Sequence, residues 1–391
     1  MKTKVGIIGA GPAGLMLSHL LHLTGIPSII IESQSREYCE ARVRAGLLEQ
    51  WAADMLIETG AGARMQRECM THSGIHISFG GALHDIDFLQ LVGKQVTIYG
   101  QQEIVKDLIA QQLANGTPIL FEASNVRLEG INGSHPAIHF TQDGQEQTIE
   151  CDFIGGCDGF HGICRPTIPA NVLTTYEREY PFGWLGILAQ ARPVADKLIY
   201  CSHPNGFALF SMRAPTLVRY YLQCTPNEDL NAWSDQRIWD ELETRLGGTR
   251  PLERGPLIEK VVAPMRSFVV EPMQYGRLFL AGDSAHIVPS TGAKGMNLAF
   301  ADARVLSQAL SAFYRNGTTN LLEGYSRTCL DRVWKAQRFS WWMTRLFHSL
   351  PRETPFDSSC RLAELEHLVQ SEAAAKSLAE NYAGLSIDIK I

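Results

Sequence analysis

The chain has 391 residues, of which 45% are hydrophobic and 19% charged, with a formal net charge of −6. That composition excludes wholesale disorder. The acid excess argues against a nucleic-acid binder, which needs a cationic face, and leaves room only for a local basic pocket that takes a small anion. No run of 18 apolar residues occurs, so a membrane-spanning helix is not expected. The opening residues read as a strand, without the pattern of a signal peptide. Nine cysteines are scattered with no Cys-x-x-Cys among them, so we expect free thiols in a cytoplasmic protein and no metal site. At roughly 100–200 residues per domain, two or three substructures sharing one body are expected.

Residues 4–8 read as a short buried strand, and Gly9, Gly11 and Gly14 follow at once. Leu15, Leu17, Leu20, Leu21 and Leu23 then give an apolar helix that Gly25 ends, and 28–32 is a second strand. In such a unit the first glycine permits a tight turn. The second lets backbone approach a pyrophosphate, and the third lets helix and strand pack closely. The helix N-terminus faces the phosphate charge with free N–H groups, and Glu32 can accept hydrogen bonds from a ribose.

Further on, an apolar strand from Cys151 ends in Asp158-Gly159. Residues 180–265 change texture: aromatic, alternating stretches around Trp184, Tyr200, Phe210 and Tyr221 predict antiparallel strands of a separate sheet. A third apolar strand runs from Gly276 into Gly282-Asp283. A loop over 289–295 follows, then a helix starting near Met296 and Asn297. Asp283 stands where a carboxylate can bind a second polyol, and the helix start can stabilise charge on a flat ring. Residues 300–349 read as helical, with 341–343 as core or interface, and 353–380 as further helix ending near Tyr382. A pyrophosphate turn plus a late Gly-Asp implies a ligand longer than NAD, and FAD fits.

These segments carry a resemblance. The stretches RVRAGLLEQ (42–50), YGQ (99–101), GCDGFHG (156–162), YPFGW (180–184), RSFVVEPM (266–273), AGD (281–283), TGAKGMN (291–297) and AENY (379–382) are similar to the flavoprotein aromatic hydroxylases over essentially the whole chain. The resemblance implies an α/β fold. A Rossmann-like FAD-binding body over 1–72, 97–179 and 266–349 would be interleaved with a substrate-binding β-sheet over 73–96 and 180–265. A helical region would occupy 350–391. It also implies bound FAD, NADH or NADPH as transient donor, O2 as oxidant and a homodimer. The reaction would be ortho-hydroxylation of a para-substituted benzoate: 4-hydroxybenzoate first, with 4-aminobenzoate or 3,4-dihydroxybenzoate as alternatives. A flavin-bound sensor without turnover, or a plain NAD-dependent dehydrogenase, are the competing classes.

By the same resemblance, Tyr200 and Tyr382 take the phenolic proton and His72 is the surface end of that relay. An ordinary histidine pKa near 6.5 would let it exchange with solvent. Ser211, Arg213 and Tyr221 form a carboxylate clamp, in which arginine can bind through two parallel N–H groups. Ser290 and Thr291 lie against the para substituent. Gly9, Gly11, Gly14, Glu32, Arg42, Arg44, Gln101, Asp158, Arg219, Asp283 and Asn297 contact the flavin nucleotide. The sequence departs from the family at two positions. Ser290 replaces a common proline, loosening the backbone and adding a hydroxyl. Ser33 stands where NADPH-preferring members often have arginine, so NADH is expected to serve as well as NADPH or better.

Overall fold

The strands Val5–Ile8, Ser28–Ile31 and Phe153–Gly156 are buried along their whole length. Strands apolar on both faces belong inside a parallel sheet covered by helices. In the computed structural model, which describes residues 1–44 and 46–385, they form the middle of a six-stranded sheet. Its order is Gln274–Tyr275, Leu278–Leu280, Phe153–Gly156, Val5–Ile8, Ser28–Ile31, Ile119–Leu120. Only the first pairing is antiparallel. Helix Pro12–Leu23 connects the first two strands and packs against helices Gln101–Ala114 and Gly295–Asn316. Proline at its start has φ already set for a helix.

A second, eight-stranded sheet carries the residues of the aromatic middle region. Its order is His286–Ile287, Leu257–Glu271, Thr174–Ala189, Leu217–Cys224, Ala208–Ala214, Leu198–Cys201, Gly74–Phe79, Ala82–Asp87. All neighbours are antiparallel except Leu198–Cys201 beside Gly74–Phe79. The strands Thr174–Ala189 and Leu257–Glu271 pair from Thr174 opposite Glu271 to Ala189 opposite Leu257. They therefore run straight through the boundaries expected at 179/180 and 265/266. One face of this sheet buries Leu185, Ile187, Phe210 and Tyr220 against Trp239 and Leu242 of helix Asp235–Leu246. The other face turns Trp184, Tyr200, Phe207 and Leu209 toward Phe339, Met343 and Phe347 of helix Tyr325–Phe347, and toward Tyr382.

The helical stretch expected over 300–349 is interrupted. Helix Gly295–Asn316 stops at Gly317, whose φ of 70° closes the last turn by donating to the Phe313 carbonyl at 2.8 Å. The chain resumes as Tyr325–Phe347. The expected helix over 353–380 is two, Pro355–Gln370 and Glu372–Ala383. Thr354 and Asp357 cap the first reciprocally, with Pro355 at its first position. Residues 386–391 of the expected C-terminal region lie outside the described residues. No helix among the described residues is long and apolar enough to cross a membrane. All nine cysteines are free thiols.

Candidate active site

Sheet register gathers one set of side chains. Tyr200 lies opposite Leu209, Tyr221 opposite Leu209, and Arg219 opposite Ser211. Alternate residues of a strand share a face, so Tyr200, Ser211, Arg219 and Tyr221 all point to the side where Trp184 lies, and Arg213, at the register shift between Met212 and Ala214, joins them through its contacts with Ser211 and Tyr221. Gly186 pairs with Tyr221 in the same layer. A Cβ there would meet Arg219 Nη2 at 3.1 Å and Tyr221 Cε1 at 3.3 Å, so this glycine leaves the guanidinium room to lie over the sheet.

The two tyrosines meet, as expected. Their hydroxyls are 2.7 Å apart, and Tyr200 Oη is 3.1 Å from the Thr291 carbonyl. A carbonyl can only accept, so the Tyr200 proton goes to Thr291 and Tyr382 donates to Tyr200. Both rings are buried, Tyr382 fully so. Burial pushes both phenols well above their ordinary value, so they stay protonated at neutral pH, each able to donate and to accept. Thr291 is itself fixed: its Oγ1 is 3.0 Å from Thr344 Oγ1 on helix Tyr325–Phe347.

The clamp residues also converge. Arg213 Nη1 donates to the Met212 carbonyl at 2.9 Å and approaches Ser211 Oγ at 3.4 Å; Nη2 approaches Tyr221 Oη at 3.4 Å. Its Nε is sequestered from solvent with no partner among the described residues. An unpaired buried guanidinium edge costs free energy that a carboxylate would offset. Burial and the like charge of Arg219 hold its pKa below the usual arginine value. Ser211 differs from expectation. Its hydroxyl donates to the Arg219 carbonyl at 2.5 Å, so it braces the neighbouring strand instead of offering a proton to a ligand.

On the parallel sheet, the glycines divide by cause. Gly9 has φ +105°, and a Cβ there would stand 2.3 Å from the Cys157 carbonyl oxygen. A Cβ on Gly14 would stand 2.0 Å from the Gly9 carbonyl oxygen. Protein backbone alone requires both. Gly11 caps helix Pro12–Leu23, yet a Cβ on it would meet nothing within 4 Å. Space stands open where a pyrophosphate would meet the helix N-terminus. Glu32 accepts from Ala10 N at 2.7 Å and Gln34 N at 2.9 Å, and so holds the glycine turn while staying partly exposed. Asp158 accepts from Cys164 N at 2.8 Å through Oδ2, and its Oδ1 is buried with no partner among the described residues.

Asp283 is exposed in the turn after Leu278–Leu280. That turn rests on Asp302, which accepts from Gly282 N at 2.9 Å and lies 2.7 Å from His286 Nε2. Burial opposes the charge on His286, but the Asp302 carboxylate outweighs it and raises the imidazole pKa. Helix Gly295–Asn316 begins beside this turn, and Leu298 is the first amide to find its carbonyl, that of Lys294. The amides of residues 295–297 precede the ladder, as the first turn of a helix requires. The open Gly11, the orphaned Asp158 oxygen and this free helix start fit a dinucleotide with a flat ring. Gly11 and Glu32 would hold its adenosine diphosphate half, Asp283 its polyol, and residues 295–297 the ring.

Several expected residues sit differently. Asn297 spends its side chain internally, accepting from Glu49 N at 2.9 Å and donating to Leu47 O at 3.1 Å and Ala293 O at 3.0 Å. It positions the strand Leu47–Leu48, and only its backbone amide is left for a ring. Next to it, Glu49 is buried between Lys294 at 2.6 Å and Arg332 at 2.8 Å. These cations overcome burial and keep its pKa low. Arg219 Nη1 is paired with Glu259 at 3.0 Å. Arg42 and Arg44 are exposed, and the charges of Arg42, Asp283 and Arg219 act on Arg44. Gln101 opens helix Gln101–Ala114 and is half-buried, and Ser290 is exposed.

His72 is corrected. It is 2% exposed rather than a surface group, and its Nδ1 has no partner among the described residues. Burial lowers its pKa to about 4, so at neutral pH it is uncharged. What sequence reasoning missed is the polar stripe Gln337, Ser340, Thr344 and His348, buried along one side of helix Tyr325–Phe347 and just past its end. Its three- and four-residue spacing was the available signal.

Comparison with known proteins agrees with this geometry. The profile of the FAD binding domain family matches residues 2–340. The p-hydroxybenzoate hydroxylase of Acinetobacter baylyi is 48% identical over 393 aligned positions, spanning 100% of this chain and 97% of that protein. A 3-(3-hydroxy-phenyl)propionate/3-hydroxycinnamic acid hydroxylase of Klebsiella pneumoniae is 24% identical, over 84% of this chain and 60% of its own length. Among solved structures, p-nitrophenol 4-monooxygenase PnpA from Pseudomonas putida DLL-E4 superposes with a TM-score of 0.83 at 17% identity. It covers 99% of this chain and 100% of that one, a likeness of fold. The chain belongs to the flavoprotein aromatic hydroxylases and is an FAD-dependent monooxygenase.

Proposed function

We propose that this enzyme hydroxylates 4-hydroxybenzoate at the 3-position, giving 3,4-dihydroxybenzoate with NADH or NADPH and O2. One observation carries the reading. A guanidinium with an unpaired buried edge (Arg213) and a buried phenol pair (Tyr200 with Tyr382) share one sheet face. That arrangement suits a small acid bearing an ionisable oxygen at its far end. The full-length likeness to a p-hydroxybenzoate hydroxylase supports the same substrate.

FAD, when bound, supplies the hydride acceptor and the oxygen-activating ring. The chain's own residues do the rest. Arg213 holds the carboxylate, with Ser211 and Tyr221 shaping the cation's surroundings. Tyr200 meets the phenolic oxygen, and rotation of its hydroxyl away from Thr291 lets a proton pass between substrate and Tyr382. Removing that proton enriches the ring in electrons at the carbon to be oxygenated. His72, neutral and buried, is the next acceptor we assign to this route. We assign the flavin to Gly9, Gly11, Gly14, Glu32, Arg42, Arg44, Gln101, Asp158, Arg219, Asp283 and the backbone at Asn297. The FAD body and the substrate sheet would share the two long strands.

NADH is the donor favoured by the segment after Glu32. The single basic residue of 33–40, Arg36, is held through its Nε by Glu40 at 2.6 Å, and the segment also carries Glu37, so it offers no net positive charge to a 2′-phosphate. Ser290, exposed beside Thr291, keeps 4-aminobenzoate as a second substrate worth testing. The test is product analysis over para-, meta- and ortho-substituted benzoates with each donor. Substrate-stimulated donor oxidation yielding 3,4-dihydroxybenzoate is expected; donor oxidation with no hydroxylated product from any benzoate refutes the assignment.

A further inference from the structure

His348 follows the last residue of helix Tyr325–Phe347 and is fully buried. Its Nε2 is 2.7 Å from Trp184 Nε1, and its Nδ1 is 2.9 Å from the Thr344 carbonyl. An indole N–H only donates and a carbonyl only accepts. The imidazole is therefore neutral, with its proton on Nδ1 and its Nε2 lone pair on Trp184. Protonation would set N–H against N–H, and burial accordingly lowers its pKa to about 3. The ring is also stacked on Phe182 at 4.5 Å and lies tilted against Phe207 at 4.4 Å.

Both partners of this imidazole reach the site. The Trp184 ring packs 4.9 Å from Tyr221, the residue against Arg213. Thr344 meets Thr291, whose carbonyl takes the Tyr200 proton. The helix end has a second, independent anchor. Gln223, the cross-strand partner of Trp184, donates to the Ser349 carbonyl at 2.6 Å and accepts from Ser349 N at 3.1 Å. That clasp holds the chain in place without the imidazole, so the His348 ring is free to serve as a key for Trp184.

We propose that His348 is a positioning residue that fixes the Trp184 indole against Tyr221, so that one buried imidazole sets the acid clamp. The inference rests on the substrate reading above. Losing the lone pair leaves the Trp184 N–H buried and unsatisfied, and the indole turns to find another acceptor.

The FAD-loaded protein tests this with His348→Leu, His348→Gln and Trp184→Phe. Affinity for 4-hydroxybenzoate is read from the change in flavin absorbance on titration, and coupling from product formed per NADH against hydrogen peroxide. His348→Leu should weaken binding about tenfold and divert electrons to peroxide. His348→Gln, whose amide oxygen can accept from Trp184, should stay within about twofold of wild type. Trp184→Phe should weaken binding as His348→Leu does, and the double variant should be no worse than either single. Wild-type affinity in His348→Leu, an equal loss in the Gln variant, or additive losses in the double variant would overturn the proposal. If His348→Leu fails to retain FAD, the Gln and Trp184→Phe variants decide it by the same criteria. Binding is read without turnover, so a wild-type protein that binds benzoates and hydroxylates none sinks the substrate reading and leaves this test standing.

Discussion

Arg213→Lys is the most direct probe of the acid clamp. In the structure, Nη1 is occupied by the Met212 carbonyl and Ser211, Nη2 has only a long contact to Tyr221, and Nε has no partner among the described residues. The free edge is therefore Nε with Nη2, two parallel N–H groups matched to a carboxylate. Lysine keeps the charge and loses the fork. One charged hydrogen bond contributes about 1.5–3 kcal/mol, so losing one of two should raise Kd about 10- to 150-fold. Flavin absorbance titration with 4-hydroxybenzoate measures it. Ser211→Ala is the control, because that hydroxyl is committed to the Arg219 carbonyl; it should cost less than the lysine change. An unchanged Kd in Arg213→Lys, or a larger loss in Ser211→Ala, would mean that the acid binds elsewhere.

Tyr200→Phe removes the group between substrate and Tyr382, so hydroxylation should slow and hydrogen peroxide accumulate while the binding constant stays near wild type; full coupling of product to donor would take Tyr200 out of the activation step. With Arg36 paired to Glu40 and Ser33 uncharged, kcat/KM for NADH should equal or exceed that for NADPH. A strong NADPH preference would refute that reading of the segment. His72 and His348 titrate at about 4 and about 3 when folded, against an ordinary 6.5. The unfolded chain therefore takes up protons first as pH falls, and stability present above pH 6.5 is lost on acidification. The loss is about 2 kcal/mol per imidazole by about pH 5, together lowering Tm by about 5 °C. His348→Gln should show about half that drop; the same drop in variant and wild type would remove His348 from the effect.

What could be read from sequence was local. Gly9 and Gly14 sit in one strand–turn–helix unit, and the clashes that demand them come from backbone within that unit or the strand beside it. The alternation around Tyr200 and Tyr221 gave the sheet and, through register, the shared face. Exposure is a tertiary property and was not legible. His72 looks like a solvated histidine in sequence, yet it is the buried residue of a strand whose Thr71 is exposed, and its pKa falls. Asn297 looked like a ligand to the ring, but its amide is consumed by Leu47 and Glu49, 250 and 248 residues away along the chain. His348 carried no signal of its own, since Trp184, the group that fixes its tautomer, is 164 residues distant.

The sheet also acts as a ruler. Tyr200 is in register with Leu209, and Ser211 stands two residues further along the same strand, with Arg213 beyond it where the register shifts between Met212 and Ala214. Each two-residue step advances about 7 Å on one face. In the assignment proposed above, the phenol that would receive the proton and the guanidinium that would grip the carboxylate are both carried by strands of one sheet and not by loops. A ring that engages both must carry its two polar groups at opposite ends. An ortho-substituted acid held by Arg213 leaves its oxygen short of Tyr200, keeps its proton and stays poor in electrons at the carbon to be attacked. On that assignment, selectivity for para-substituted acids would follow from where the strands put these two groups, before any contact with the para group is counted. Ser290 in place of proline then acts only on the choice among para substituents, because it lies on the loop beside Thr291 and not on the strands that set the distance.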